Sequence, residues 1–172
     1  MSLQIEPQVV FDWFYQINQI PRESGHEKAI SDFLVQFAKE RNLEVEQDDC
    51  WNVIIRKPAS PGYEEAEPVI IQGHMDMVCV KAEDSLHDFS KDPIEMLVEG
   101  NILRANKTTL GADDGVAVAM QLALLDGDYQ HPALEILITT NEETTMAGAA
   151  AIQAGQLKGT RLLNIDGEEE GV

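Results

Sequence analysis

Apolar side chains recur through residues 7–20 at Val10, Phe11, Phe14, Ile17 and Ile20. Steps of three and four predict an amphipathic helix. Pro21, which has no N–H to give, is expected to stop it. Ser24-Gly25-His26-Glu27 then reads as a capping box, an N-cap serine with a glutamate three residues on. It predicts a second helix with Ile30, Phe33, Leu34 and Phe37 on its buried face. Residues 43–45 and 53–55 are short and rich in β-branched side chains, hence strands. Residues 68–72 (PVIIQ) form a compact apolar strand running into Gly73-His74, and residues 81–93 are polar and loop-like. A hairpin is expected over 94–105, turning at Glu99-Gly100-Asn101. Residues 115–125 are alanine-rich and apolar on most sides, which predicts a buried helix. A strand at 134–139, a short helix at 147–154 closed by Gly155, and a strand at 162–165 complete the chain. This alternation predicts an α/β fold with a mixed, partly parallel sheet, whose strand order the pattern leaves open.

Composition narrows the functions. Of the 172 residues, 12 are basic and 31 acidic, a formal charge of −19. A surface this negative argues against nucleic-acid and anionic-membrane partners, because phosphate binding needs positive charge. It leaves metal ions and cationic or zwitterionic ligands open. The two cysteines, Cys50 and Cys79, form no CxxC pair, so a zinc ribbon or dithiol redox site is excluded, and a reducing cytoplasm is expected. No apolar run reaches the ~18 residues of a membrane span. The N-terminal stretch lacks a basic region ahead of an apolar core, so no signal peptide is expected.

Three apolar strands run into acids or histidine: PVIIQ into Gly73-His74-Met75-Asp76, LEILITT into Asn141-Glu142-Glu143, and RLLNI into Asp166. In open α/β sheets ligands bind at the carboxyl ends of strands. If these strands are parallel neighbours, His74, Asp76, Glu142, Glu143 and Asp166 surround one crevice. Gly111-Ala112-Asp113-Asp114-Gly115 adds a fourth acidic element at the entrance to the alanine-rich helix. Each element alone has a plain alternative. Asp113 and Asp114 could be capping a helix, and Glu142 and Glu143 a solvated first turn. Together, so many carboxylates must take up protons or find a cation. Imidazole with carboxylates and no thiolate suits Zn²⁺, Co²⁺ or Mn²⁺, and the ligand count fits two ions better than one.

HMD after an apolar strand, GADDG before a small-residue helix, NEE after the next strand and NID after another resemble the co-catalytic zinc peptidases that include carboxypeptidase G, aminoacylase and peptidase T. IPRESGHEK (20–28), HDFSKDPI (87–94) and TTLGADDG (108–115) are similar to the aminoacyl-histidine (Xaa-His) dipeptidase branch. Gly115 favours that branch, since the others usually carry lysine there. The similarity runs from about residue 6 to residue 171.

The resemblance implies a three-layer zinc-peptidase-like catalytic domain, incomplete in this chain, and two divalent ions, zinc foremost. It implies His74, Asp113, Glu143 and Asp166 as metal ligands, with Asp113 bridging and a cis bond after it. Asp76 would orient the His74 imidazole, and Glu142 would be general base and then general acid. The family's last ligand is a histidine lying well beyond residue 172, and His26, His87 and His131 sit in turns and loops. Residues 1–172 are therefore expected to be the N-terminal part of the catalytic domain, without the lid domain and the C-terminal part, and inactive alone. The expected reaction is hydrolysis of small Xaa-His dipeptides by a water activated between the ions, in a full-length protein open to homodimer formation. Rival readings are a tripeptidase or aminoacylase of the same family, or a catalytically silent truncated metal-binding fragment. Cys79 is expected to be a small buried hydrophobe, the other histidines capping or surface residues, and Glu168, Glu169 and Glu170 a solvated loop.

Overall fold

The computed structural model describes residues 5–167. Two helices open the chain, α1 (Gln8–Ile17) and α2 (Lys28–Glu40), followed by strands β1 (Glu44–Gln47), β2 (Val53–Lys57) and β3 (Val69–His74). The hairpin β4 (Met96–Glu99) and β5 (Ile102–Ala105) precedes α3 (Ala112–Asp126). Then come β6 (Leu134–Thr139), α4 (Ala147–Ala151) and β7 (Arg161–Asn164).

Five strands form one sheet in the order β1-β2-β6-β3-β7. The β1–β2 and β2–β6 pairs are antiparallel, and β3 runs parallel to both of its neighbours, β6 and β7. The expected mixed sheet is present, and its order puts the three acid-bearing strands side by side.

Strand alternation sorts the core into layers. Val53, Ile55, Ile71, Leu134, Ile136 and Ile138 face one way and pack against Phe14, Ile17, Leu34, Phe37, Val118 and Leu122 of α1 to α3. Ile54, Ile70 and Leu137 face the other way, under Ile152 and Leu157. The second face is thus covered by α4 and the segment after it. Burying each such aliphatic side chain stabilises by about 1.5–3 kcal/mol, so the larger cluster sets the fold. The hairpin forms its own two-stranded sheet, beside a cluster of Met77, Ile94 and Ala105 that includes half-buried Cys79.

Several boundaries differ from the pattern. Helix α1 ends at Ile17, ahead of Pro21, because Asn18 turns its side chain inward. The Asn18 amide donates to the Leu110 carbonyl at 3.3 Å. The predicted α2 capping box does not form: the helix starts at Lys28 with no side-chain cap. Helix α4 stops at Ala151 instead of running to Ala154, since Ile152 turns extended to pack under the sheet.

The helix is held close by Gly148, where an added Cβ would stand 2.3 Å from the Thr140 carbonyl and 2.6 Å from Asn52 Oδ1. Gly148→Ala should therefore destabilise by about 1–3 kcal/mol, the usual cost of overpacking against backbone. Urea unfolding with an unchanged m-value checks this; no shift in midpoint would mean that the helix moves aside freely.

His131, expected at the surface or as a cap, is buried, with Nδ1 2.7 Å from the Pro132 carbonyl. His26 is exposed beside Glu23. His87 is half-buried, edge-on to Phe89. Burial pushes the Cys79 thiol up to about 11, aided by Glu23, which leaves it packed and unreactive at neutral pH. No helix among the described residues is long and apolar enough to cross a membrane.

Candidate metal centre

Parallel pairing of β6, β3 and β7 brings their carboxyl ends to one edge of the sheet. The central strand, β3, ends on His74, whose side chain is fully buried. Thr139 ends β6, so the turn carrying Asn141, Glu142 and Glu143 rises on one side, and Asp166 follows β7 on the other.

The loop entering α3 delivers Asp113. Gly111 makes that entry possible: its φ is +67°, and a Cβ there would stand 2.4 Å from the Arg22 guanidinium. Asp113 and Asp114 depart from helical geometry inside the first turn, and the bond between them is cis.

These elements converge on one imidazole. His74 Nε2 is 3.1 Å from Asp113 Oδ1 and 3.9 Å from Glu142 Oε2. Donor atoms of His74, Asp113 and Glu143 lie within 4.8 Å of one another, and so do those of His74, Glu142 and Asp166. All four expected ligand residues are therefore gathered, together with Glu142. By distance alone Glu142 is as well placed to reach an ion as Glu143 is. Glu168, Glu169 and Glu170 lie outside the described residues.

Asp76 lies beneath this group and is fully buried. Its Oδ1 accepts the Glu142 N–H at 3.1 Å, and its Oδ2 accepts the Glu143 N–H at 3.2 Å and the Ser24 hydroxyl at 2.7 Å. Asp76 Oδ1 is 3.4 Å from His74 Nδ1, an ion-pair distance without the alignment of a hydrogen bond. So Asp76 does more than face the imidazole, because it also holds the backbone that carries both glutamates.

Electrostatics follow from burial and crowding. Burial pulls the His74 imidazole down, but Asp76, then Asp114 and Asp113, outweigh it and raise the group to about 9. Burial raises the Asp76 carboxyl, yet the facing His74 imidazole and the hydrogen bonds from Ser24 and the two backbone N–H groups bring it to about 2. Burial drives Asp114 up to about 7. Burial, then the negative Asp113, also raises Glu143. Such a cluster is short of positive charge. One imidazole among four carboxylates is the donor chemistry of a borderline divalent cation, so the residues fit zinc, cobalt or manganese.

Four residues around the site carry no role in the sequence reading. Asp114, which the sequence offers only as a possible helix cap, accepts the His74 backbone N–H at 3.1 Å. Arg22, buried, donates to the carbonyls of Met75 at 3.1 Å and Gly111 at 2.6 Å. Ser24 and Glu27, expected as a capping box, face the site instead. A polar residue whose partner lies fifty positions away leaves no trace in local spacing.

No protein-family model matches the chain. It is 44% identical over 169 residues to the cytosol non-specific dipeptidase of Escherichia coli, an alignment covering 98% of this chain and 35% of that protein. The crystal structure of aminoacylhistidine dipeptidase from Vibrio alginolyticus superposes with a TM-score of 0.95 at 43% identity, covering 98% of this chain and 34% of the other. A tripeptidase from Staphylococcus aureus shares the fold, with a TM-score of 0.77 at 21% identity over 96% of this chain and 44% of its own. The chain thus spans about a third of the length of the two dipeptidases. The resemblance carried by the HMD, GADDG, NEE and NID motifs is accordingly a likeness in sequence and backbone, along nearly the whole chain, to about one third of an aminoacylhistidine dipeptidase.

Proposed function

We propose that this chain carries the principal metal-binding part of a divalent-metal-dependent cytoplasmic dipeptidase, and that the substrates of that enzyme are dipeptides with C-terminal histidine. The observation that supports it most is the convergence of Asp113, Glu142, Glu143 and Asp166 on the single buried imidazole of His74. In this reading His74, Asp113 and Asp166 would hold one ion, and Asp113 and Glu143 would hold a second, whose remaining imidazole would come from polypeptide outside residues 1–172. Bound there, two divalent ions supply Lewis acidity and acidify water.

The protein's own residues do the rest. Glu142 takes a proton from the attacking water on its carboxylate and returns it to the leaving amine. Its position depends on Asp76, which holds its backbone N–H. Asp76 also faces His74 Nδ1, which leaves Nε2 as the nitrogen turned toward Asp113. The choice of dipeptides follows the names of both dipeptidases, at 44% and 43% identity, and the choice of histidine at their C-terminus follows the name of the Vibrio alginolyticus enzyme, the Escherichia coli relative being named non-specific.

The test is hydrolysis of a panel of Xaa-His and Xaa-Ala dipeptides by the full-length protein, before and after chelation and zinc restoration. Loss on chelation, recovery with zinc and a preference for Xaa-His are expected. Activity that survives complete metal removal would sink the proposal, and equal rates on both panels would remove the histidine specificity alone.

A further inference from the structure

The segment 22–27 carries the sequence pattern of a helix cap, yet its Ser24 and Glu27 side chains bond to the residues that carry the candidate site. Residue 23 makes a short parallel bridge with Met77, and Met77 donates its N–H to the Arg22 carbonyl at 3.1 Å. The segment therefore lies alongside the exit of β3. From there the Ser24 hydroxyl donates to Asp76 Oδ2 at 2.7 Å. Glu27 Oε1 accepts the N–H of Gly25 and that of Asn141, each at 2.9 Å. Asn141 opens the turn carrying Glu142 and Glu143 and has a φ of +56°, in the left-handed region that asparagine adopts more readily than other residues with a Cβ.

Glu27 is 1% exposed, and among the described residues no ion pair reaches it. A buried carboxylate held only by backbone N–H groups is a costly way to fix a loop. It suits a place where a strong, short-armed acceptor must hold one N–H in a set direction. Glu142 and Glu143 are thereby held from two sides, by Asp76 through their own N–H groups and by Glu27 through the residue before them.

We propose that residues 22–27 form a positioning element for the metal centre, in which Ser24 sets the Asp76 carboxylate and Glu27 sets the turn at 141–143. This rests on the metal-dependent reading above and adds to it two residues that touch neither ion nor substrate.

The experiment compares full-length wild type with Ser24→Ala, Glu27→Ala, Ser24→Thr and Glu27→Gln. Cobalt(II) titration, followed by the visible absorption of the bound ion, is read beside kcat and KM on an Xaa-His dipeptide. The alanine variants should lose about 10–100-fold in cobalt affinity or kcat, with KM nearly unchanged, the usual cost of removing a group that orients a ligand. Threonine keeps the hydroxyl and glutamine keeps the acceptor oxygen, so both should restore most of the loss. If Glu27→Ala does not fold, Ser24→Ala carries the comparison, since it removes one hydrogen bond at a half-buried position. Folded alanine variants with wild-type cobalt spectrum, affinity and kcat, even at a lower melting temperature, would overturn the positioning role. A wild type that takes up no cobalt would overturn the metal centre itself, which separates the two failures.

Discussion

Replacing Glu142 by glutamine should cut kcat by about 10²–10⁴-fold in the full-length protein while leaving the metal content of each chain unchanged. The size follows from removing a base that handles the proton in the transition state. The variant is chosen because Glu142 has two readings by geometry. Its Oε2 lies 3.9 Å from His74 Nε2, and the residue shares a possible ligand set with Asp166. Glutamine keeps the length and the carbonyl oxygen but cannot accept a proton at neutral pH. Its backbone N–H still bonds to Asp76, so the turn should stay in place. Elemental analysis beside steady-state kinetics separates the readings. Loss of turnover with full metal marks the base. Parallel loss of metal and turnover would make Glu142 a ligand and leave the proton-transfer role unfilled.

The parts of this site that the sequence makes legible are those whose logic is local. An apolar strand followed at once by a charged residue is visible in a few positions, so His74, Glu142 and Asp166 stand out without a structure. That the three strands are parallel neighbours is not visible, because pairing joins residues far apart, such as Gly73 with Ile138 and Gln72 with Asn164. The misread capping box has the same cause. Serine followed three residues on by glutamate satisfies a helix start by spacing alone. In the folded chain Asp76 and Asn141, 52 and 114 positions away, claim both side chains first. Asp114 escaped for a related reason. Its partner is the backbone N–H of His74, and a backbone donor has no sequence signature. The helix bounds at Ile17 and Ala151 failed where Asn18 and Ile152 found tertiary partners that outweighed propensity.

His74→Ala should have a large effect on metal binding, because His74 is the one imidazole among the gathered donors and stands in both donor groups. If a complete zinc site is worth about 10–16 kcal/mol over its ligands, one imidazole accounts for roughly 3 kcal/mol, or about a hundredfold in affinity. Asp76 keeps its bonds from Ser24 and from the N–H groups of Glu142 and Glu143, so the fold should survive the change. The sharper expectation concerns pH. Metal-free His74 is raised to about 9, so at neutral pH it carries a proton that an incoming ion must displace. Proton competition weakens as pH rises, so the affinity of wild type should climb toward a plateau near pH 9 with one proton more in its slope than the variant shows. Per unit of pH that proton is worth a factor of about ten. Zinc titrations of both proteins between pH 6.5 and 8.5, in buffers of differing ionisation enthalpy, measure the slope and the proton released. Equal slopes would mean that the imidazole takes no part in holding the ion, and the centre would then have to be built from the carboxylates alone.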